Sequence, residues 1–393
     1  MNSLTKICFW LSGFFILYPA IVYPALVYLM GLVRPRRVKR RPCMPSVTIL
    51  IPAYNEAKNI TATIQNKLDQ DYPRNRFEII VISDGSTDGT DDLAREFTSQ
   101  NVKIIRREQR QGKAAALNEG VRQALGEILV FSDANSLFAP DAIRRLVENF
   151  ADPEVGYVTG NLTYQEQGAG ITGNGCSAYM RYENALRVLE TRAGSIIGVN
   201  GGVDAIRREL YADVPHQLIT DFVLPLQVIG TKHRVVYDER VHSSELANSE
   251  LGSEFHMRVR VGLRALQGIS YMRGLCNPFS YAWPAFSLIS HKVIRYFGFV
   301  FLLIAFVTNL ALVSTPGYAA FFIAQGIAYL LALLGLCKNP PSLLRKLTLI
   351  PVYFLMTNLA FTVAAFKFLQ GETMATWQPR AGAQPSQRYG SVA

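Results

Sequence analysis

The sequence predicts an α/β domain on a mostly parallel sheet with helices on both faces, set between transmembrane α-helices. Three observations carry this. Short, branched apolar runs alternate with polar, helix-forming segments between Ser46 and Gly252, the pattern of parallel strands joined by crossover helices. Several of those runs stop abruptly at polar turns that contain an acid. The chain is also 49% hydrophobic over 393 residues, and its apolar surplus is gathered at the two ends.

The ends come first. No charge occurs from Ile7 to Val33, a stretch long enough to cross a bilayer and longer than the apolar core of a signal peptide. The basic cluster Arg34–Arg41 follows it, which predicts a cytoplasmic loop and an external amino terminus. This cluster supplies much of the net charge of +10, so the positive charge points to a lipid bilayer rather than to nucleic acid. No charge occurs between Arg295 and Lys338 either, and Ser314-Thr315-Pro316-Gly317 breaks that run into two spans. A third uncharged run, Leu347–Phe366, follows the basic loop Lys338–Lys346. The expected division is a transmembrane helix with its basic cluster (1–41), a catalytic domain (42–252), amphipathic interfacial helices (253–296), transmembrane helices (297–370) and a tail (371–393). The five cysteines include no C-x-x-C pair, which argues against a disulfide framework and a zinc site.

Within the domain, Val47–Ile51 reads as a strand that turns at Pro52-Ala53-Tyr54-Asn55-Glu56 into a helix running toward Leu68. Phe77–Ser83 is the second strand and ends in Asp84-Gly85-Ser86-Thr87-Asp88-Gly89-Thr90, where Asp88 suits a helix cap. Val102–Ile105 is the third. Gly126–Phe131 is the fourth, ending in Ser132-Asp133-Ala134-Asn135-Ser136. Acid-bearing turns at the carboxyl ends of parallel strands make a ligand crevice. Asp133 and Asn135 offer hard oxygen atoms to a magnesium or manganese ion carrying a diphosphate. The competing role is for Asn135 or Ser136 to cap a helix beginning near Pro140. Two other phosphate motifs fail: Gly112-Lys113 is followed by Ala114 where a P-loop needs a hydroxyl, and Gly168-Ala169-Gly170-Ile171-Thr172-Gly173 follows a polar stretch rather than a strand, so it reads as a flexible loop.

Four motifs stand in a recognisable order: Pro52–Glu56, Ser83–Asp88, Gly112-Lys113-Ala114-Ala115-Ala116-Leu117-Asn118, and Ser132–Asn135. In order and spacing they resemble the family 2 glycosyltransferases, inverting enzymes of the GT-A fold that use nucleotide-sugars and include the cellulose, chitin and hyaluronan synthases. The resemblance implies that Ala53, Tyr54 and Glu56 border the nucleotide, that Asp84 accepts from its base, and that Lys113 approaches it. It implies a divalent metal, Mg2+ or Mn2+, at Asp133 and Asn135, although the family's second acid is here the amide Asn135. Gly198–Arg207 resembles the glycine turn beside the donor sugar, with Gly201 at its centre and a turn before a helix at Arg208 as its competing role. Thr220-Asp221-Phe222-Val223-Leu224 resembles the segment bearing the catalytic base, which makes Asp221 that base unless it only caps a helix.

Glu254–Arg273 has an apolar side with Phe255, Val259, Leu266 and Ile269 and a basic stripe with His256, Arg260 and Arg264, as expected of a helix at a membrane interface. Met257, Arg260 and Val261 stand where processive relatives carry Gln-x-x-Arg-Trp. Arg260 is thereby assigned to the leaving diphosphate.

The expected protein is a bacterial inner-membrane or plasma-membrane glycosyltransferase with a cytoplasmic catalytic domain. Its donor is a nucleotide-sugar, a UDP-sugar by preference, and its acceptor a polysaccharide or lipid-linked glycan. The alternatives are transfer to a lipid phosphate or ceramide, and a catalytically silent membrane scaffold. Cysteines introduced singly into Arg34–Arg41 and Lys338–Lys346 should resist a membrane-impermeant thiol reagent in intact cells and react after lysis. Labelling of either from outside overturns the orientation.

Overall fold

The computed structural model describes residues 3–165, 171–246, 251–335 and 342–373. They fall into two compact bodies, one holding Val38–Gln167 and Gly198–Asn248, the other Met1–Arg37, Gly168–Ile197 and Ser249–Thr373.

The first body is built on an eight-stranded sheet: β1 (Val47–Ala53), β2 (Phe77–Asp84), β3 (Val102–Arg107), β4 (Ile128–Phe131), β5 (Leu137–Phe138), β6 (Val155–Gln165), β7 (Asp204–Arg207) and β8 (Arg234–Leu246). The order is β3-β2-β1-β4-β7-β6-β8-β5. β1 runs parallel to both β2 and β4, and β2 is parallel to β3. Every residue of β1 is buried, as its branched sequence requires for a strand covered on both faces. Helices Ile60–Leu68 and Lys113–Arg122 follow the turns after β1 and β3. Ile49, Ile51, Ile64, Ile79, Val81 and Val130 belong to the core between sheet and helices.

Beyond β4 the sheet is mixed. β7 enters antiparallel to β4, pairing Phe131 with Asp204, so the amino end of β7 lies beside the carboxyl end of β4. Residues 204–207 are therefore strand, and the helix expected at Arg208 is the single 3₁₀ turn Arg208–Leu210. The helix near Pro140 spans Ala142–Glu148 with Asp141 at its cap position, which removes Asn135 and Ser136 from that role.

In the second body, Ser3–Val33 is an apolar helical stretch of 31 residues, long and apolar enough to cross a membrane. It contains a π turn at Tyr18–Val22, where Pro19 cannot donate a main-chain hydrogen bond. Leu347–Leu369 is a second such stretch. The two spans expected between Arg295 and Lys338 are helices Gly298–Leu312 and Tyr318–Leu334, of 15 and 17 residues, each short of the roughly 20 that a bilayer core needs. Gly298–Leu312 reaches that length only together with Pro278–Tyr296, from which it bends by 57°.

Helix Ile171–Ala193 lies against Tyr23 and Val27 through Leu186 and Ala193. Its buried Glu190 accepts from the Tyr23 hydroxyl at 2.6 Å and lies 2.8 Å from His291 Nδ1, while Glu183 accepts from Arg295 at 2.6 Å. Helix Leu251–Tyr271 turns Ala265 and Leu266 toward Phe361 and Ala365 of Ser342–Leu369, so this apolar face is covered by protein. Of the G-x-G-x-x-G stretch, residues 168–170 lie outside the described residues, and Ile171–Gly173 open a helix.

A glycine sets the approach to β4. A Cβ at Gly126 would lie 2.6 Å from the Val47 carbonyl carbon, and its amide donates to Thr48 Oγ1 at 2.9 Å. Gly126→Ala should cost about 1 to 3 kcal/mol by forcing β1 aside. An unfolding midpoint equal to that of the wild type would refute this tight approach.

Candidate active site

The turns after β1 and β2 are clasped together. Asn55 adopts a left-handed φ of 52°. Its side-chain oxygen accepts from the Thr87 amide at 2.9 Å, and its own amide donates to Ser86 Oγ at 3.1 Å. The Glu56 amide donates to Thr90 Oγ1 at 2.9 Å and the Ala57 amide to Asp88 at 3.0 Å. Asp88 also accepts from the Thr90 amide at the start of helix Thr90–Arg95. Partial burial would raise the Asp88 carboxyl, yet these bonds from Thr90 and Ala57 hold it below its ordinary value. Glu56 is buried and accepts from Asn59 at 2.8 Å. Burial raises its carboxyl, and Asn59 opposes the rise.

Asp84, at the end of β2, is buried. Its oxygens accept from the Gln111 amide at 3.0 and 3.2 Å and from the Gly112 amide at 2.6 Å, with Arg107 at 3.4 Å. The residue assigned to a base thus also fixes the loop that launches helix Lys113–Arg122. Asn118 anchors that helix, accepting from Tyr211 at 2.7 Å and from the Val214 amide at 3.1 Å. The Arg110 guanidinium stacks 3.6 Å from the centre of the Tyr54 ring, and its Nη2 is buried with no hydrogen-bond partner among the described residues. Ala53 is buried at the end of β1 opposite Ser83.

The turn after β4 is held from behind. Thr63 donates to the Ala134 carbonyl at 2.7 Å, and Lys67 to the Ser136 carbonyl at 2.6 Å. Lys67 is fully buried, with its ammonium 3.7 Å from the Phe138 ring centre. Burial pushes it well below an ordinary lysine, while Glu245 and Asp133 pull the other way. Ser136 Oγ donates to the buried Glu245.

Three predicted residues meet here. Lys113 Nζ lies 2.7 Å from Asp133 Oδ1 and 3.2 Å from Asp221 Oδ1. Burial would lower the Lys113 ammonium, but the two carboxylates outweigh it and hold the pKa above its ordinary value. Asp221 is in the first turn of helix Thr220–Gly230, whose cap position, Ile219, makes no side-chain cap bond. Gly201, at φ 76°, runs against it: a Cβ there would lie 2.6 Å from Asp221 Oδ2.

Asp204 is buried at the start of β7. Burial first, and then the Asp221 charge, push its carboxyl up to about 7 against Thr159 and Lys113. Asp204 and Arg110 are the site-edge residues that motif reading missed. Arg110 belongs to the basic run just before Gly112-Lys113, and Asp204 is an acid inside the apolar run Val203–Ile206. Arg260 belongs to the second body, half-buried on helix Leu251–Tyr271.

Asp133 and Asn135 supply one carboxylate and one amide oxygen. Among the described residues no three His, Cys, Asp or Glu side chains gather as a metal cluster. A single carboxylate suits a magnesium or manganese ion that takes its remaining ligands from substrate phosphates and water.

The Asp84 clasp has a direct readout. Asp84→Ala should speed amide exchange at Gln111 and Gly112 by about tenfold or more, since each amide loses a bond to a charged acceptor. Unchanged exchange at both would show that the loop holds itself.

A family model described as "Glycosyl transferase family 2" matches residues 48–212. A glycosyltransferase of Haloferax volcanii, AglE, is 31% identical over 183 residues, covering 45% of this chain and 58% of that protein. A poly-beta-1,6-N-acetyl-D-glucosamine synthase of Staphylococcus epidermidis is 25% identical over 266 residues, covering 63% and 64%. The chain thus spans less than two thirds of these curated relatives. A mannosyltransferase from Pyrobaculum calidifontis, solved with GDP-Man and Mn2+, superposes with a TM-score of 0.73 at 24% identity, over 94% of this chain and 99% of that one. That likeness establishes the fold, which is of GT-A type, and the match to the family 2 model runs over residues 48–212, the clasped turns included.

Proposed function

We propose that the protein is a membrane-bound inverting glycosyltransferase. It moves a sugar from a nucleotide-sugar, by preference a UDP-sugar, to a polysaccharide or lipid-linked glycan. The observation that carries this reading is the meeting of Asp133, Lys113 and Asp221 at the edge where β1, β2 and β4 end. The apolar stretches Ser3–Val33 and Leu347–Leu369 support a membrane location. The name of the staphylococcal relative supports a glycan product.

In this mechanism the Tyr54–Arg110 stack and Asp84 border the base, and Lys113 faces the diphosphate. Asp221 takes the proton of the acceptor hydroxyl as that oxygen attacks the anomeric carbon from the face opposite the diphosphate. The new carbon–oxygen bond forms while the bond to the diphosphate breaks. Its electron pair leaves with the nucleotide, and the single displacement inverts the anomeric centre. Asp133 and Asn135 would hold magnesium or manganese, which when bound neutralises charge on the departing diphosphate. Arg260 is assigned to the same group. The close approach of the Gly201 main chain to Asp221, together with the Lys113 contact, supports a positioned base rather than a cap.

The test is nucleotide release from a panel of nucleotide-sugars incubated with the purified full-length protein and membrane-extracted acceptors. Asp221→Asn should bind donor within a few-fold of wild type and transfer at least about 100-fold more slowly. Near-normal turnover by a folded Asp221→Asn protein would sink the assignment. Donor binding without release by wild type across the panel would favour the silent scaffold.

A further inference from the structure

The mechanism gives Asp133 and Asp221 separate tasks, yet one ammonium engages both. Lys113 Nζ is 2.7 Å from Asp133 and 3.2 and 3.4 Å from the two Asp221 oxygens. Its position is set by main chain, because Asp84 fixes the Gln111 and Gly112 amides immediately before it. The Gly201 main chain runs close to Asp221, since a Cβ there would lie 2.6 Å from Oδ2. All three side chains are partly solvent-exposed, at 21% for Lys113, 33% for Asp133 and 24% for Asp221, so a dissolved cation can reach them.

We propose that Lys113 is a positioning residue that acts as the built-in cation of the donor-free site. It holds Asp133 to Asp221, competes with a divalent cation for Asp133, and releases Asp221 when a metal-bearing donor takes Asp133 over. This rests on the functional reading above. A divalent ion on an Asp133 oxygen and an ammonium on the same carboxylate are like charges only a few ångströms apart, so each weakens the other. Asn135 sharpens the contest: it offers the ion an oxygen but no second negative charge, leaving Asp133 as the anion of the turn. Lys113 contacts Asp221 directly, so Asp221 is freed to accept the proton when the ion takes Asp133 and the donor's diphosphate draws the ammonium toward itself.

The experiment measures Mn2+ binding to the full-length protein in detergent without nucleotide, by the loss of the free-ion electron paramagnetic resonance signal. Lys113→Met should bind Mn2+ about three- to fivefold more tightly than wild type, the effect of removing one partly exposed ion pair. Its unfolding midpoint should also rise more on adding Mn2+. Lys113→Gln is measured beside it in case the methionine variant fails to fold, and Lys113→Arg, which keeps the charge, should match wild type. Equal or weaker Mn2+ binding by both neutral variants, with Asp133→Ala abolishing it, overturns the competition alone. Mn2+ binding that survives Asp133→Ala, or is absent throughout, overturns the metal assignment as well and so separates the two failures.

Discussion

The bond from the Gln111 and Gly112 amides to Asp84 is the constraint on which the site depends. It joins the end of β2 to the two residues before helix Lys113–Arg122 and so decides where Lys113 begins. A carboxylate accepting main-chain N–H groups is an inexpensive way to stop a loop, because those amides lie at a helix start and lack intrahelical partners. The same logic runs through the neighbouring turns. Asn55 closes on Thr87, and Asp88 on Ala57 and Thr90. The motif residues are therefore largely each other's partners. Much of their work is to hold two loops at one spacing, leaving Tyr54, Lys113, Asp133 and Asp221 to face a ligand.

Behind the crevice lies a second polar layer. Lys67 and Glu245 are both buried and meet at Ser136, one through its carbonyl and the other through its hydroxyl. A buried charge is costly unless it is paired and hydrogen-bonded, so this arrangement contributes little to net stability. It does determine the path of the turn that carries Asp133. Gly202 belongs to the same layer, since a Cβ there would lie 2.8 Å from Glu245 Oε1. The Gly201-Gly202 pair thus brings the main chain against two carboxylates, Asp221 and Glu245.

The parallel half of the sheet was legible because β1, β2 and β4 are short branched runs with acid turns at fixed offsets. The antiparallel half was not. β8 carries Asp238, Glu239 and Arg240 in its middle, and its pairing with β6 shifts register, so no clean alternation survives. Asp238 is buried there because Arg40, Arg240 and Asn149 neutralise and bond it, partners remote in sequence except for Arg240. The convergence of Lys113 with Asp133 and Asp221 was hidden for the same reason: 20 and 108 residues separate them, and only the crossover order brings them together. In the other body, charge-free length predicted apolar helices correctly in place. It also placed the break at 314–317, but missed the one near Phe297, and the helices on either side of 314–317 are each short of a span.

The charge balance of the site shows why such a lysine is needed. Asp133 and Asp221 both contact Lys113, and Asp204 feels their field from the buried amino end of β7. If the crevice takes a diphosphate, as proposed, three carboxylates in it would repel that ligand. Lys113 offsets one of them, and burial keeps Asp204 easier to protonate than an ordinary aspartate, which lowers the negative charge further. Asn135 in place of a further acid works in the same direction. On the proposed function, such a crevice limits its own negative charge while retaining one carboxylate for a cation and one for a proton, and those are the two that Lys113 touches.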